Sequence, residues 1–293
     1  MSAEIERTIP LSRMMAARRR VSGFDWWWLL VIGVAATIVY LVRKSPDPYL
    51  RIVLFVRDGM GVTIRLTLIS FVLILLVGMI GGLGRISRIP IIKGLASLYV
   101  EIIRGIPLLV QLIFIYYAFP AFVIKVGQRL LAFGPRSTTL GANVVQFITS
   151  LGTKMVQFKL DPFGAAVLGL TVCYGAYMSE IYRAGIESIP KAQMEAARSL
   201  GMNYLQAMRY VILPQAVRMI LPPVGNEFIS LLKDSSLVST VAVADMVRRG
   251  REFMGKFFLP LETWLMIALL YLVMTLFFTR IAQYIERKMS YEH

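Results

Sequence analysis

Three charged residues interrupt one apolar stretch, residues 219–244: Glu227, Lys233 and Asp234. A charge at the bilayer centre costs roughly 2.5–3.5 kcal/mol on insertion scales, so three left unpaired in lipid would cost about 8–10 kcal/mol. Such groups must face protein, a partner subunit or water. Asn226, Ser230 and Lys233 are spaced i, i+4, i+7 and share one helical face. Pro222 and Pro223 weaken the helix before them, and Ser235-Ser236 mark an expected break after them. A broken helix offers free backbone groups to a charged ligand. The chemistry in view is passage of a polar solute along Asn226, Glu227, Ser230, Lys233 and Ser236, or a buried polar network that fixes helix packing. Both readings stand open. Glu180 and Arg183, three apart, pose a related choice: a pair that anchors a helix end, or a carboxylate that meets the ammonium group of an amino acid. Glu101 and Arg104 repeat it. Arg104 stands just before Gly105 and Pro107, where a kink is expected, so anchoring is the preferred reading there.

Other chemistries are excluded by count. Cys173 is the only cysteine and His293 the only histidine, so no intrachain disulfide and no His/Cys metal site is possible. There is no G-x-x-x-x-G-K-[ST] to hold ATP phosphates, no H-E-x-x-H and no G-x-S-x-G. No cofactor and no catalytic residue are expected in this chain. The net charge of +15 would point to nucleic acid in a soluble protein; here lipid head groups and helix ends are the expected counterparts, and no nucleic acid partner is.

The elements that must position these residues are membrane helices. The chain is 57% hydrophobic and only 17% charged, against about 25% charged in soluble domains, and its mean hydropathy is +0.66. The hydrophobicity comes in blocks. Residues 26–42, 66–84, 105–124, 162–179 and 263–279 carry no charge, and each approaches the roughly 20 residues needed to cross hydrocarbon as a helix. With 219–244 they make six spans of an all-α polytopic membrane protein. Residues 137–153 are uncharged too, but Thr138, Thr139, Asn143, Gln146, Thr149 and Ser150 make them a partly polar surface helix. The first block follows a polar, basic stretch and lacks a small-residue cleavage site, which makes it a retained anchor, not a signal peptide. Arg18, Arg19 and Arg20 before it predict a cytoplasmic N-terminus, and six spans return Arg287 and Lys288 to the same side. Arg43, Lys44, Arg51, Arg57, Arg248, Arg249, Arg251 and Lys256 fall on the other side, against the usual bias.

Residues 190–214 predict two short helices around a glycine corner. Pro190 suits a first helical turn and Gly201 the positive-φ position after the last. Ala192, Ala196 and Leu200 form one stripe whose small side chains let another surface come close. Glu195 and Arg198 are spaced to pair. Asn203 and Gln206 are placed as a capping box, and the second helix is expected to kink or stop at Pro214. Helices this short are marginal in water and need a surface to pack on.

Glu195-Ala196-Ala197, then Gly201, then Ile212-Leu213-Pro214 resembles the EAA signature of ABC importer permeases. Residues 100–109, 176–185 and 222–237 resemble three further segments of the polar amino acid branch, the relatives of histidine and glutamine permeases. The likeness covers about residues 59–288. It implies a five-helix type I (MetI-like) core over 59–288, to which the helix and external loop of 26–58 and the basic cytoplasmic tail of 1–25 are additions. It implies that Glu195, Ala196, Ala197, Gly201, Leu213 and Pro214 couple to an ABC ATPase, with ATP bound on that partner. From their own positions, not from the resemblance, Glu101, Arg104, Pro107 and Arg183 are read as structural anchors, and Glu180 with Asn226, Glu227, Ser230, Lys233 and Ser236 as candidates for the path. Two ATPase copies, a second permease subunit, an external amino-acid-binding protein, the lipid bilayer and the bacterial inner membrane complete the implied setting. The competing reading is an ion-coupled secondary amino-acid transporter acting without an ATPase.

Overall fold

The computed structural model describes residues 26–133 and 141–290, and every regular element among them is helical. In chain order these are α1 (Trp26–Lys44), α2 (Pro46–Arg85), α3 (Pro90–Arg104), α4 (Leu108–Phe133), α5 (Ala142–Val156), α6 (Pro162–Glu187), α7 (Lys191–Ser199), α8 (204–234), α9 (Met246–Phe257) and α10 (Pro260–Ser290). Five are long and apolar enough to cross a membrane: α1 from Trp27, α2, α4, α6 and α10 to Lys288. The basic tail of 1–25 lies outside the described residues. The external loop expected inside 26–58 is not a loop: after a kink at Asp47, whose φ −102° and ψ 114° are not helical, the chain is helical to Arg85. Its first half is amphipathic enough to bury Ile52, Val56 and Thr63 against α9 and α10.

The molecule is organised around the α2–α6 pair. A Cβ added to Gly78 would lie 2.5 Å from the Met178 Cβ, one at Gly81 would meet Ser179, and one at Gly82 would lie 2.7 Å from the Tyr182 Cβ. Three glycines within two turns let the helix axes approach closely, the small-residue packing that replaces hydrophobic driving force inside a bilayer. Leu66, Ile74, Leu170, Tyr174 and Met178 fill the seam with Leu231 and Val238 from the α8 side.

The crossing expected over 105–124 is broken where its sequence says. Gly105, Ile106 and Pro107 separate α3 from α4, and Gln111 repairs the break: its Nε2 donates to the carbonyls of Ile103 and Ile106, each at 2.8 Å. Helix α4 contains a π-turn at Phe114–Ala118 before Pro120. Beyond it Phe119–Phe133 and α5 form a helical hairpin at the end of the bundle opposite α7.

Helix α1 packs on α10 and α2. Arg280 on α10 stacks over Trp27 and Trp28 at 5.1 and 5.8 Å from the ring centroids, so the start of α1 and the last third of α10 lie at one level. Gly225 of α8 faces Ala282, and about a turn before it Ile220 packs on Gly185 near the end of α6, which places that level toward the α7 end of the bundle.

Candidate functional site

The corner forms as its residues dictate. Pro190 takes the N-cap of α7, and Gly201 has φ +84°, the left-handed region that a side chain resists. Asn203 Oδ1 accepts from the Gln206 N–H and Gln206 Oε1 accepts from the Asn203 N–H, both at 2.9 Å, so the capping box is complete. The corner is also unfinished. Of α7, only Ala197 is buried, while Glu195, Ala196 and Arg198 stay exposed. Leu200 is 81% exposed and Leu205 75%.

The second helix does not stop at Pro214. A π-turn at Met208–Ile212 precedes Leu213–Asp234, and Pro214 enters as the second residue of that α-helical stretch. The wider turn accommodates the missing N–H and the ring of Pro214, which a regular α-helix would not. Pro222 and Pro223 are likewise held inside the helix. One rod, 204–234, therefore runs from the capping box to Asp234. The break expected at Ser235-Ser236 is a tightening into a 3₁₀-helix, Ser235–Val241, that ends at Ala242 with φ 63°.

At the far end of this rod the charged residues separate into distinct surroundings. Asn226 and Lys233 are exposed and Ser230 half-buried. Lys233 and Ser236 line a cavity of about 470 Å³ with Trp264, Tyr271 and Thr275. Asp234 turns toward α6, where the Tyr174 hydroxyl donates to its Oδ2 at 2.7 Å. Glu227 is half-buried, within electrostatic reach of Asp234 and Arg104. Glu101 and Arg104 do not form the anchoring pair their spacing allowed. Both are exposed, and the Arg104 guanidinium lies over the Tyr177 ring, 5.1 Å from its centroid. Pro107 stands at the α3–α4 break.

Glu180 does not line that cavity. It is shared by Arg85 of α2 and Arg183 one turn on, and Arg183 reaches Glu187 as well. Arg183 Nε donates to Glu180 at 3.1 Å. Held by two guanidiniums, the carboxylate clamps the α2–α6 seam, and it also lines a cavity of about 270 Å³ with Met219 and Pro223 of α8. Arg85 was missed; its signal was a basic residue ending an apolar block at the depth of an unexplained glutamate. Gln111 and Tyr174 were missed as partners, because their roles depend on contacts made across helices.

On the side opposite the corner, α9 presents basic residues. Arg249 bridges Asp58 at 2.6 Å and Glu252 at 2.8 Å, and that hydrogen bond holds the Glu252 carboxyl below its ordinary range. Asp245, outside the five long apolar helices, caps α9 by accepting from the Arg248 N–H at 2.9 Å. Burial pushes its carboxyl up to about 6.

The arrangement is an exposed corner, a continuous helix, and polar groups open at its far end. Residues 74–291 match the family described as binding-protein-dependent transport system inner membrane component. The glutamine transport system permease protein GlnP of Escherichia coli (strain K12) is 36% identical over 200 residues, 68% of this chain and 77% of that protein. The L-cystine transport system permease protein TcyB of Bacillus subtilis (strain 168) is 36% identical over 212 residues, 72% of this chain and 74% of that one. A crystal structure of an amino acid ABC transporter with histidines superposes with a TM-score of 0.64 at 35% identity, covering 86% of this chain and 98% of its own. The chain thus belongs to the inner-membrane permease components of binding-protein-dependent ABC transporters, in which ATP is hydrolysed by a separate subunit.

Proposed function

We infer that this chain is the pore-forming subunit of an ATP-driven importer of polar amino acids in the bacterial inner membrane. Two permease subunits, identical or related, form the path; two ATPases dock at residues 190–214; an external binding protein delivers the substrate. The relatives' names, glutamine and cystine transport among them, support the cargo class. Rod α8 makes the sixth crossing, its polar face accounting for its lower hydropathy. The α1 contact with Arg280 supports placing both ends of the described chain on the ATPase side.

The observation that carries this reading is the unbroken helix 204–234. A push on the corner is passed along this continuous helix, which bends at its π-turn and prolines, to Asn226, Glu227, Ser230 and Lys233 and on to Ser236. Alternating access then follows from ATP-driven closure of the ATPases. Glu180, Arg183 and Arg85 hold α6 to α2 while α8 moves.

The test is uptake into proteoliposomes of the permease–ATPase complex, with binding protein and labelled amino acids. The Lys233→Met complex is expected to assemble normally and to lose uptake. Normal uptake by that variant removes Lys233 from the path. Uptake by the permease alone, driven by an ion gradient without ATP, overturns the reading.

A further inference from the structure

The Phe119–Phe133/α5 hairpin has no task in the transport scheme. On the orientation proposed above it begins at the outer boundary: Phe119 packs against Phe158, ring centroids 6.1 Å apart, just before α6 begins at Pro162. Its two helices close on each other where Gly127 meets Gly152; a Cβ on Gly127 would lie 2.8 Å from the Gly152 carbonyl. Helix α5 packs on Phe119–Phe133 and on no other described element to a comparable extent. The π-turn at Phe114–Ala118 and Pro120 after it are sites at which a helix bends; α3 and Leu108–Ala118 together are long enough to cross, so Phe119–Phe133 need not continue in the crossing direction.

What it turns outward is unusual for an aqueous surface. On the first helix, Phe122, Lys125, Arg129 and Phe133 share one face; on α5, Val144, Phe147, Leu151 and Lys154 share another. Phe122 is 62% exposed, Phe133 59% and Phe147 68%. Burying such a side chain fully contributes about 1.5–3 kcal/mol, so three left in water are a standing loss that two 15-residue helices do not offset alone. The charges have one sign: Lys125, Arg129, Lys154 and Lys159 are basic, and no Asp or Glu occurs anywhere from 119 to 160.

We propose that this hairpin lies on the outer leaflet, with its phenylalanines at the acyl boundary and its lysines and arginine on the phosphates of anionic phospholipids. Apolar side chains interleaved with Lys and Arg are the composition of an interfacial helix whose cations reach back to head groups. The all-basic charge complements phosphate. A lipid surface is present at all times, whereas a transiently docked binding protein would leave the phenylalanines in water between encounters. The same contact accounts for positive charge on the side where the usual bias disfavours it.

The experiment uses the full chain in vesicles of phosphatidylethanolamine and phosphatidylglycerol, with a nitroxide at Phe147→Cys. The native Cys173 is buried, and a second label at Val144→Cys guards against a local defect. Collision with oxygen exceeding that with a water-soluble nickel chelate at both sites is the expected result. Replacing Arg129 or Lys154 by Gln shifts the ratio of lipid-facing to water-facing label about fivefold per charge removed, and replacing phosphatidylglycerol by phosphatidylcholine shifts it the same way. Chelate-accessible labels overturn the proposal, as a hairpin projecting into water. Labels shielded from both reagents overturn it in favour of a protein partner. Lipid-facing labels indifferent to charge and lipid composition overturn the head-group contact. No ATPase or substrate enters the measurement, so its outcome is independent of the transport reading.

Discussion

The α2–α6 seam and the corner at 190–214 use the same small residues to opposite ends. Along the seam, Gly78, Gly81 and Gly82 are already occupied by Met178, Ser179 and Tyr182, and the one carboxylate there is shared by two arginines. At the corner, Ala192 and Ala196 are just as small but face nothing, and a Cβ added to Gly201 would meet no atom within 4 Å. The seam is packing that the chain completes by itself. The corner is left uncovered, its geometry fixed by a capping box and a left-handed glycine, and on the function proposed above it is the half of a contact that an ATPase completes. Small residues alone therefore do not tell a helix–helix contact from a docking surface; what the chain leaves uncovered does.

Substitutions that treat the two regions alike should separate them. The largest effect is expected for Gly78→Leu, whose Cβ falls 2.5 Å from another Cβ. Overpacking of this kind costs about 1–3 kcal/mol or more, and the fraction of chain that stays monodisperse after detergent extraction should collapse. Gly94→Leu, with nothing within 4 Å, should extract normally. Gly201→Asp is next. It strains a residue at φ +84° and so distorts the corner, yet touches no packed atom. Extraction should stay near normal while co-purification of the ATPase falls about tenfold, the equivalent of 1.4 kcal/mol. Equal loss of extraction and of ATPase would mean the corner is structural.

A smaller effect is expected on the opposite side, at Asp245. Its carboxyl titrates near 6 in the folded chain against an ordinary 3.8, so the fold prefers the protonated form. The cost of ionising it is absent below pH about 4, grows as the pH rises through 6, and is constant above. Asp245→Asn keeps a capping oxygen for the Arg248 N–H but does not ionise. Its melting temperature should exceed that of the unsubstituted chain at pH 7.5, and the gap should close as pH falls toward 4. A gap that widens on acidification would show that the cap, not the burial, dominates.

Much of this was readable from residue types and spacing. The charge-free blocks announce α1, α2, α4, α6 and α10, and Pro190, Gly201, Asn203 and Gln206 announce the corner, because these signals are local: hydropathy over twenty residues, one positive φ, one i, i+3 exchange. The 219–244 stretch was legible as a polar-faced helix, but its passage through Pro214 was not, since a π-turn is a response to the proline and has no residue code of its own. Residues 46–58 read as a loop because Arg51, Arg57 and Asp58 suggest water; they are helical because the other face packs on α9. The fate of Glu180 was hidden for a related reason. Its spacing to Arg183 is visible in sequence, whereas its contact with Arg85 exists only once α2 and α6 cross.

The central claim is that an ATPase grips the exposed face of α7 and moves α8 through it. With Cys173 buried, a single reactive cysteine at Ala196→Cys, paired with single cysteines in the groove of the co-purified ATPase, tests it by disulfide cross-linking in the assembled complex. The account predicts efficient cross-linking at Ala196→Cys and none at Lys159→Cys on the opposite side, with ATP-driven uptake blocked by the cross-link and restored by reduction. Cross-linking that fails at Ala196, or that forms without blocking uptake, would contradict it.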